Sequence, residues 1–176
     1  MGGGEPYNVP ILPENNYLPV FADIPSDVAK KATAMFLNYP NNPTGACATR
    51  PFLNDLVAFA KQYDIAVCYD NPYSEVLFNG QERITFLMAE GAKDIGVELS
   101  SLSKPFNMCG WRLGMASGNR DLIAAISKVK ENTDSGIFNP IQYAAIHALA
   151  NNAPAVEDML AVYARRRERV LAALAK

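Results

Sequence analysis

The run Ser101-Leu102-Ser103-Lys104-Pro105-Phe106-Asn107-Met108-Cys109-Gly110-Trp111-Arg112 places one lysine among hydroxyls, with an arginine eight residues further on. An amine in that setting can form a Schiff base with an aldehyde. The hydroxyls and the guanidinium can bind a phosphate carried by the same molecule, the guanidinium through paired N–H donors. Such a lysine is informative only if other elements of the chain bring polar residues to it.

Residues 34–38 form a compact apolar run bounded by turn residues, the pattern of a buried strand. The turn Asn41-Asn42-Pro43-Thr44-Gly45 follows. Thr49 as cap and Pro51 in the first turn then open a helix with Phe52, Leu53, Leu56, Val57 and Ala60 on one face. Residues 65–69 give a second strand, ending in Asp70-Asn71-Pro72-Tyr73. Strand, helix and strand joined by short connections form a parallel crossover unit. Residues 95–100 give a third strand that feeds the lysine loop, and 113–117 a fourth.

Around this centre, residues 7–12 are expected to form a short strand and 23–31 to hold a short helix. Three helices close the chain. Asn119 caps one carrying Leu122, Ile123, Ile126 and Val129; Asn139 and Pro140 open the second; Pro154 opens the third. The third carries an apolar stripe of Val156, Leu160, Tyr163, Val170 and Leu174. Its basic run from Arg165 to Arg169 is expected to be a solvated face. Trp111 is expected to pack in the core, and His147 to be structural or at the surface.

In α/β sheets, ligands gather beyond the carboxyl ends of parallel strands. Asn42, Asp70 and Lys104 each lie just past such an end. Arg112 precedes its strand, so it shares that edge only if the strand after it runs antiparallel. The expected fold is therefore α/β, a mostly parallel mixed sheet with packed helices and one antiparallel strand after Arg112.

The three motifs, taken in order with Gly110-Trp111-Arg112, resemble the signatures of pyridoxal phosphate-dependent aminotransferases of fold type I, class I/II. The resemblance implies pyridoxal 5'-phosphate as cofactor and a set of roles. Lys104 would hold the cofactor aldehyde and shuttle a proton, and Asp70 would pair with the ring nitrogen. Asn42 and Tyr73 would hydrogen-bond the phenolic oxygen; Ser101, Ser103 and Arg112 would bind the phosphate. It further implies amino-acid and 2-oxo-acid substrates, a role in amino-acid metabolism and biosynthesis, and a homodimer in the full-length protein. The wording around Lys104 is similar to bacterial members acting on aspartate, alanine or LL-diaminopimelate.

Members of this family are roughly twice this long, consistent with more than one domain. Residues 1–176 are accordingly expected to be the central part of the large, cofactor-binding domain, with an N-terminal segment and the small domain absent and little or no activity in isolation. Two alternatives stand beside transamination: a β-eliminating carbon–sulfur lyase on the same scaffold, and a non-catalytic assembly fragment with a relic site.

Composition narrows the rest. The chain has 176 residues, 49% hydrophobic and 19% charged, with a net charge of −2, which offers no basic field for nucleic acid or an anionic membrane. No apolar run approaches the ~20 residues of a spanning helix. Cys47, Cys68 and Cys109 are far apart and there is one histidine, so no metal site and no disulfide framework is expected. A cytoplasmic setting is expected.

Overall fold

The computed structural model describes residues 3–78 and 80–175. Four strands form one sheet in the order β1-β2-β3-β4: β1 Ala34–Asn38, β2 Ala66–Asp70, β3 Gly96–Ser101 and β4 Gly114–Gly118. The pairs β1·β2 and β2·β3 are parallel and β3·β4 is antiparallel, with Asn38 opposite Asp70, Asp70 opposite Leu99, and Ser101 opposite Gly114. The antiparallel strand required by Arg112 is present.

The helices are α1 Ser26–Ala29, α2 Arg50–Tyr63, α3 Ala92–Ile95, α4 Arg120–Thr133, α5 Asn139–Ala150 and α6 Asn152–Leu174. The crossover from β1 to β2 is α2. Its cap is Thr49, whose side chain accepts from Phe52 N–H, with Pro51 in the first turn. All five residues expected on its inner face are buried. They pack on Leu37, Val67 and Tyr69 from one face of the sheet and on Phe86 from the β2–β3 connection. Gly96 is required where that connection enters β3, because a Cβ there would stand 2.7 Å from the Phe86 ring and 2.8 Å from Val67 O.

A second, smaller core anchors the lysine loop. Leu102, Met108 and Leu113 are buried together with Ala145 of α5, and Phe106, Ile137 and Ile141 pack around them. The loop thus alternates buried apolar residues with polar ones, so its backbone is held by packing.

Three expectations are corrected. Residues 7–12 form no strand and are mostly exposed, with Tyr7 and Leu12 half in solvent. Pro6, Pro10 and Pro13 break up the N–H donors that a ladder needs. The apolar stripe of α6 is packed only in its first half: Val156 is buried and Leu160 and Tyr163 half-buried, whereas Val170 and Leu174 are exposed. Trp111 lies in a single 3₁₀ turn, Cys109–Trp111, and is 46% exposed rather than in the core. The Gly110-Trp111 turn lifts it away from the apolar pair Met108 and Leu113 that flanks it.

Candidate active site

Strand alternation sorts the sheet residues onto two faces. Leu37, Tyr69 and Glu98, paired across the sheet, lie on the face that α2 covers. Asn38 and Asp70, paired with each other, lie on the opposite face, as does Ser101 at the end of β3. These three end their strands on the same carboxyl edge.

Asn38 ties that edge together, and the sequence pattern did not single it out. Its Nδ2 donates to Asp70 O at 3.0 Å and to Asp70 Oδ2 at 3.3 Å, while its Oδ1 accepts from Asn42 N–H at 3.0 Å. One carboxamide thereby sets both the Asp70 carboxylate and the turn that carries Asn42. The signal was a polar residue closing an apolar strand directly before the Asn-Pro turn. The turn is fixed further by Asn41, whose N–H donates to Ala46 O at 2.8 Å and whose Oδ1 accepts from Thr44 Oγ1 at 2.7 Å.

Asn42 Nδ2 lies 3.4 Å from Tyr73 Oη, so two motifs 31 residues apart meet. Lys104 Nζ stands 5.7 Å from the centroid of the Tyr73 ring, within cation–π range. Asn42, Tyr73 and Lys104 are thus brought together, and Asp70 joins them through Asn38. Ser101 Oγ accepts from Ser103 N–H at 3.1 Å, which closes the turn leading to Lys104. Arg112 enters at the same edge: Leu102 N–H donates to Leu113 O at 3.3 Å, so Arg112, just before β4, stands beyond the carboxyl end of β3. Its Nη1 donates to Cys109 O at 2.7 Å and its backbone is left-handed, with φ 54°. Ser101, Ser103 and Arg112 share the edge through the β2–β3–β4 backbone, but among the described residues their side chains make no hydrogen bond to Asn42, Asp70, Tyr73 or Lys104.

Asp70 is exposed at the strand end, and partial desolvation there still raises its carboxyl above the ordinary value. Asn38 supplies a neutral donor only, so a nearby cation would stabilise the charged form.

A cavity of about 630 Å³ opens beside Asn42 and Tyr73, lined also by Asn41, Phe78, Gln81 and Arg167. Arg165, Arg166 and Arg169 are exposed, in keeping with a solvated face. Arg167 departs from that picture: it lines this cavity, 5.9 Å over the Phe78 ring, and pairs with Glu168 at 2.7 Å. His147 is exposed, with Asn151 beside its ring. Among the described residues, no cluster of three or more metal-ligating side chains is found.

The chain resembles known proteins along nearly its whole length. Among curated proteins, the LL-diaminopimelate aminotransferase of Syntrophobacter fumaroxidans is 49% identical over 164 residues, covering 93% of this chain and 42% of that protein. That of Moorella thermoacetica is 48% identical over 168 residues, covering 96% and 43%. Among solved structures, substrate-bound BacF from Bacillus subtilis superposes with a TM-score of 0.86 at 41% identity, covering 91% of this chain and 40% of that one. The aromatic aminotransferase from Pyrococcus horikoshii gives a TM-score of 0.87 at 30% identity, covering 96% and 45%. This chain therefore spans less than half the length of the curated relatives it matches. The family model for aminotransferase class I and II matches residues 1–176, and the chain belongs to that family of pyridoxal phosphate-dependent enzymes.

Proposed function

We propose that this chain is the central part of the cofactor-binding domain of a longer aminotransferase. That protein moves an amino group between an α-amino acid and a 2-oxo acid. The observation that carries the reading is the convergence of Lys104, Tyr73 and Asn42, drawn from three separate segments, on the sheet edge that also bears Asp70. The first substrate to test is LL-diaminopimelate, after the names of relatives 44–49% identical.

The residues present fit pyridoxal phosphate. Asp70, raised in pKa and hydrogen-bonded by a neutral side chain, suits a protonated ring nitrogen. Asn42 Nδ2 and Tyr73 Oη, 3.4 Å apart, can both donate to one phenolate oxygen. Ser101, Ser103 and Arg112 suit a phosphate, the guanidinium keeping further N–H groups beyond the one spent on Cys109. When bound, the cofactor supplies an aldehyde for the amino group and a ring that accepts an electron pair.

The chain's own residues do the rest. Asp70 would hold the ring-nitrogen proton in place, keeping the ring electron-poor. Lys104 would hold the cofactor through its Nζ, and that amine, once displaced by the substrate's own, would carry the proton between substrate Cα and the cofactor carbon on the far side of the shared nitrogen. Tyr73 lies beside that amine and orients it. Read this way, the longer protein is a cytoplasmic homodimer; among the described residues no helix is long and apolar enough to cross a membrane.

Titration of the 176-residue chain with pyridoxal phosphate, followed by visible absorption, tests the cofactor assignment. A saturable band that is lost in Lys104→Ala is expected, with weak affinity. No band in either protein would overturn it and favour a relic site. For the longer protein, 2-oxo acid formation that requires an amino acceptor is the expected result. Release of ammonia and a thiol without one would indicate β-elimination instead.

A further inference from the structure

The turn that bears Asp70 and Tyr73 is fastened from the opposite face of the sheet. Asp70 lies on the open face, whereas Asn71 turns toward the α2 face beside Tyr69. There Asn71 is 1% and Glu98 8% exposed. Asn71 Nδ2 donates to Glu98 Oε1 at 3.1 Å, and Glu98 Oε2 accepts from Leu87 N–H at 3.4 Å. Asn71 N–H donates to Leu99 O at 2.8 Å, adding a rung to the β2–β3 ladder past Asp70.

This arrangement is expensive as packing. A carboxylate taken out of water costs several kcal/mol even after relaxation. Asn71 Oδ1 adds a buried acceptor without a partner among the described residues, itself a cost. Apolar side chains of similar volume would fill the space without either cost. What they lack is direction: a hydrogen bond to a fixed carboxylate specifies the rotation of Asn71, and through it the chain on both sides.

We propose that Glu98 and Asn71 are positioning residues for the cofactor site, a buried clamp that fixes the 70–73 turn so that the Asp70 carboxylate and Tyr73 Oη face one ligand. The inference rests on the roles proposed above for Asp70 and Tyr73. Glu98 is itself held by β3, the strand that runs on into the lysine loop, so the clamp ties the turn to the element that delivers Lys104. Neither side chain touches the cofactor.

A donor–acceptor swap tests it. At a pH where both carboxyls are charged, Asn71→Asp sets two carboxylates against each other and should break the clamp. Adding Glu98→Gln restores it, because the new amide can donate to the carboxylate at 71 and its oxygen can still accept from Leu87 N–H. With pyridoxal phosphate as probe, Asn71→Asp is expected to weaken binding by about tenfold or more, the scale of a lost hydrogen bond to a charged group. The double variant should recover most of that loss. In the cofactor-free chain, amide hydrogen exchange at Asn71 and Tyr73 should speed up in the single variant, stay unchanged in α2, and return to normal in the double variant. Asn71→Ser, which removes the bond without adding charge, covers the case in which Asn71→Asp does not fold, and should show both effects more mildly.

Unchanged exchange at 71 and 73 in a folded single variant would overturn the clamp. So would a double variant that melts like the parent yet shows no recovery. If the unaltered chain takes up no pyridoxal phosphate, the proposed function fails instead, and the exchange measurement still decides the clamp.

Discussion

Asp70 sits where its charge is unfavourable in the cofactor-free fold. Partial desolvation raises its pKa although the side chain is exposed, so the folded chain holds this proton at a pH where the unfolded chain, near an ordinary value of about 3.9, has released it. The contribution to stability is full below the unfolded pKa and is lost as pH rises through the higher folded one. Asp70→Asn removes that loss. The variant should therefore be as stable as the parent, or more so, at neutral pH, by no more than about 1 kcal/mol because the group is solvent-screened. Its advantage should shrink on acidification, as read from urea midpoints against pH. The same variant should bind pyridoxal phosphate at least about tenfold more weakly. A destabilised variant with normal cofactor binding would mean that Asp70 serves the fold and not the ligand.

At this scale the sequence was informative about placement, wherever a candidate residue coincided with a strand end. Lys104, Asp70 and Asn42 could be picked out because each follows an apolar run and turn residues. Asn38, Asn71 and Glu98 could not. A polar residue within or beside an apolar run is equally consistent with a solvent-facing position, and only strand pairing reveals that Asn38 meets Asp70 and that Glu98 meets Asn71.

Among the elements, α2 and the lysine loop bear most on the site. The α2 crossover was legible to the residue, because cap, first-turn proline and apolar periodicity all agree. The segment 7–12 was misjudged because its prolines withhold ladder donors, and the end of α6 because apolar periodicity shows that a face can be buried, but not that anything lies against it. The two cores make different predictions. Leu56→Ala, at a fully buried position of α2, should cost about 2–5 kcal/mol in chemical unfolding, with cofactor affinity largely retained in the folded fraction. Leu102→Ala empties the small core that anchors the loop. It should cost a similar amount globally and should also loosen Lys104, so the cofactor band weakens even under fully folding conditions. Equal cofactor affinity in both variants at matched folded fraction would show that the loop is not positioned by its own core.

At the scale of the whole molecule, the mixed sheet followed from one constraint, that Arg112 must reach the edge shared by Asn42, Asp70 and Lys104, and β4 runs as that constraint required. What no local pattern conveys is which surfaces remain open. Phe36, on the sheet face away from α2, is 79% exposed, and Phe138, Tyr143 and Ile146 at α5 are 70%, 71% and 62% exposed. So many large apolar side chains left open to solvent favour association. The 176-residue chain should therefore sediment as a species whose average mass rises with concentration. Phe36→Ser and Tyr143→Ser should each lower that mass at a given concentration, and at exposed positions should change the unfolding midpoint little. Because Phe36 lies on the same sheet face as Asp70, two residues before Asn38, self-association through it would crowd the cofactor edge. Phe36→Ser should then improve pyridoxal phosphate binding at high protein concentration and leave it unchanged at low concentration. A chain that stays monomeric throughout, with cofactor affinity independent of its concentration, would show that this open face does not drive association.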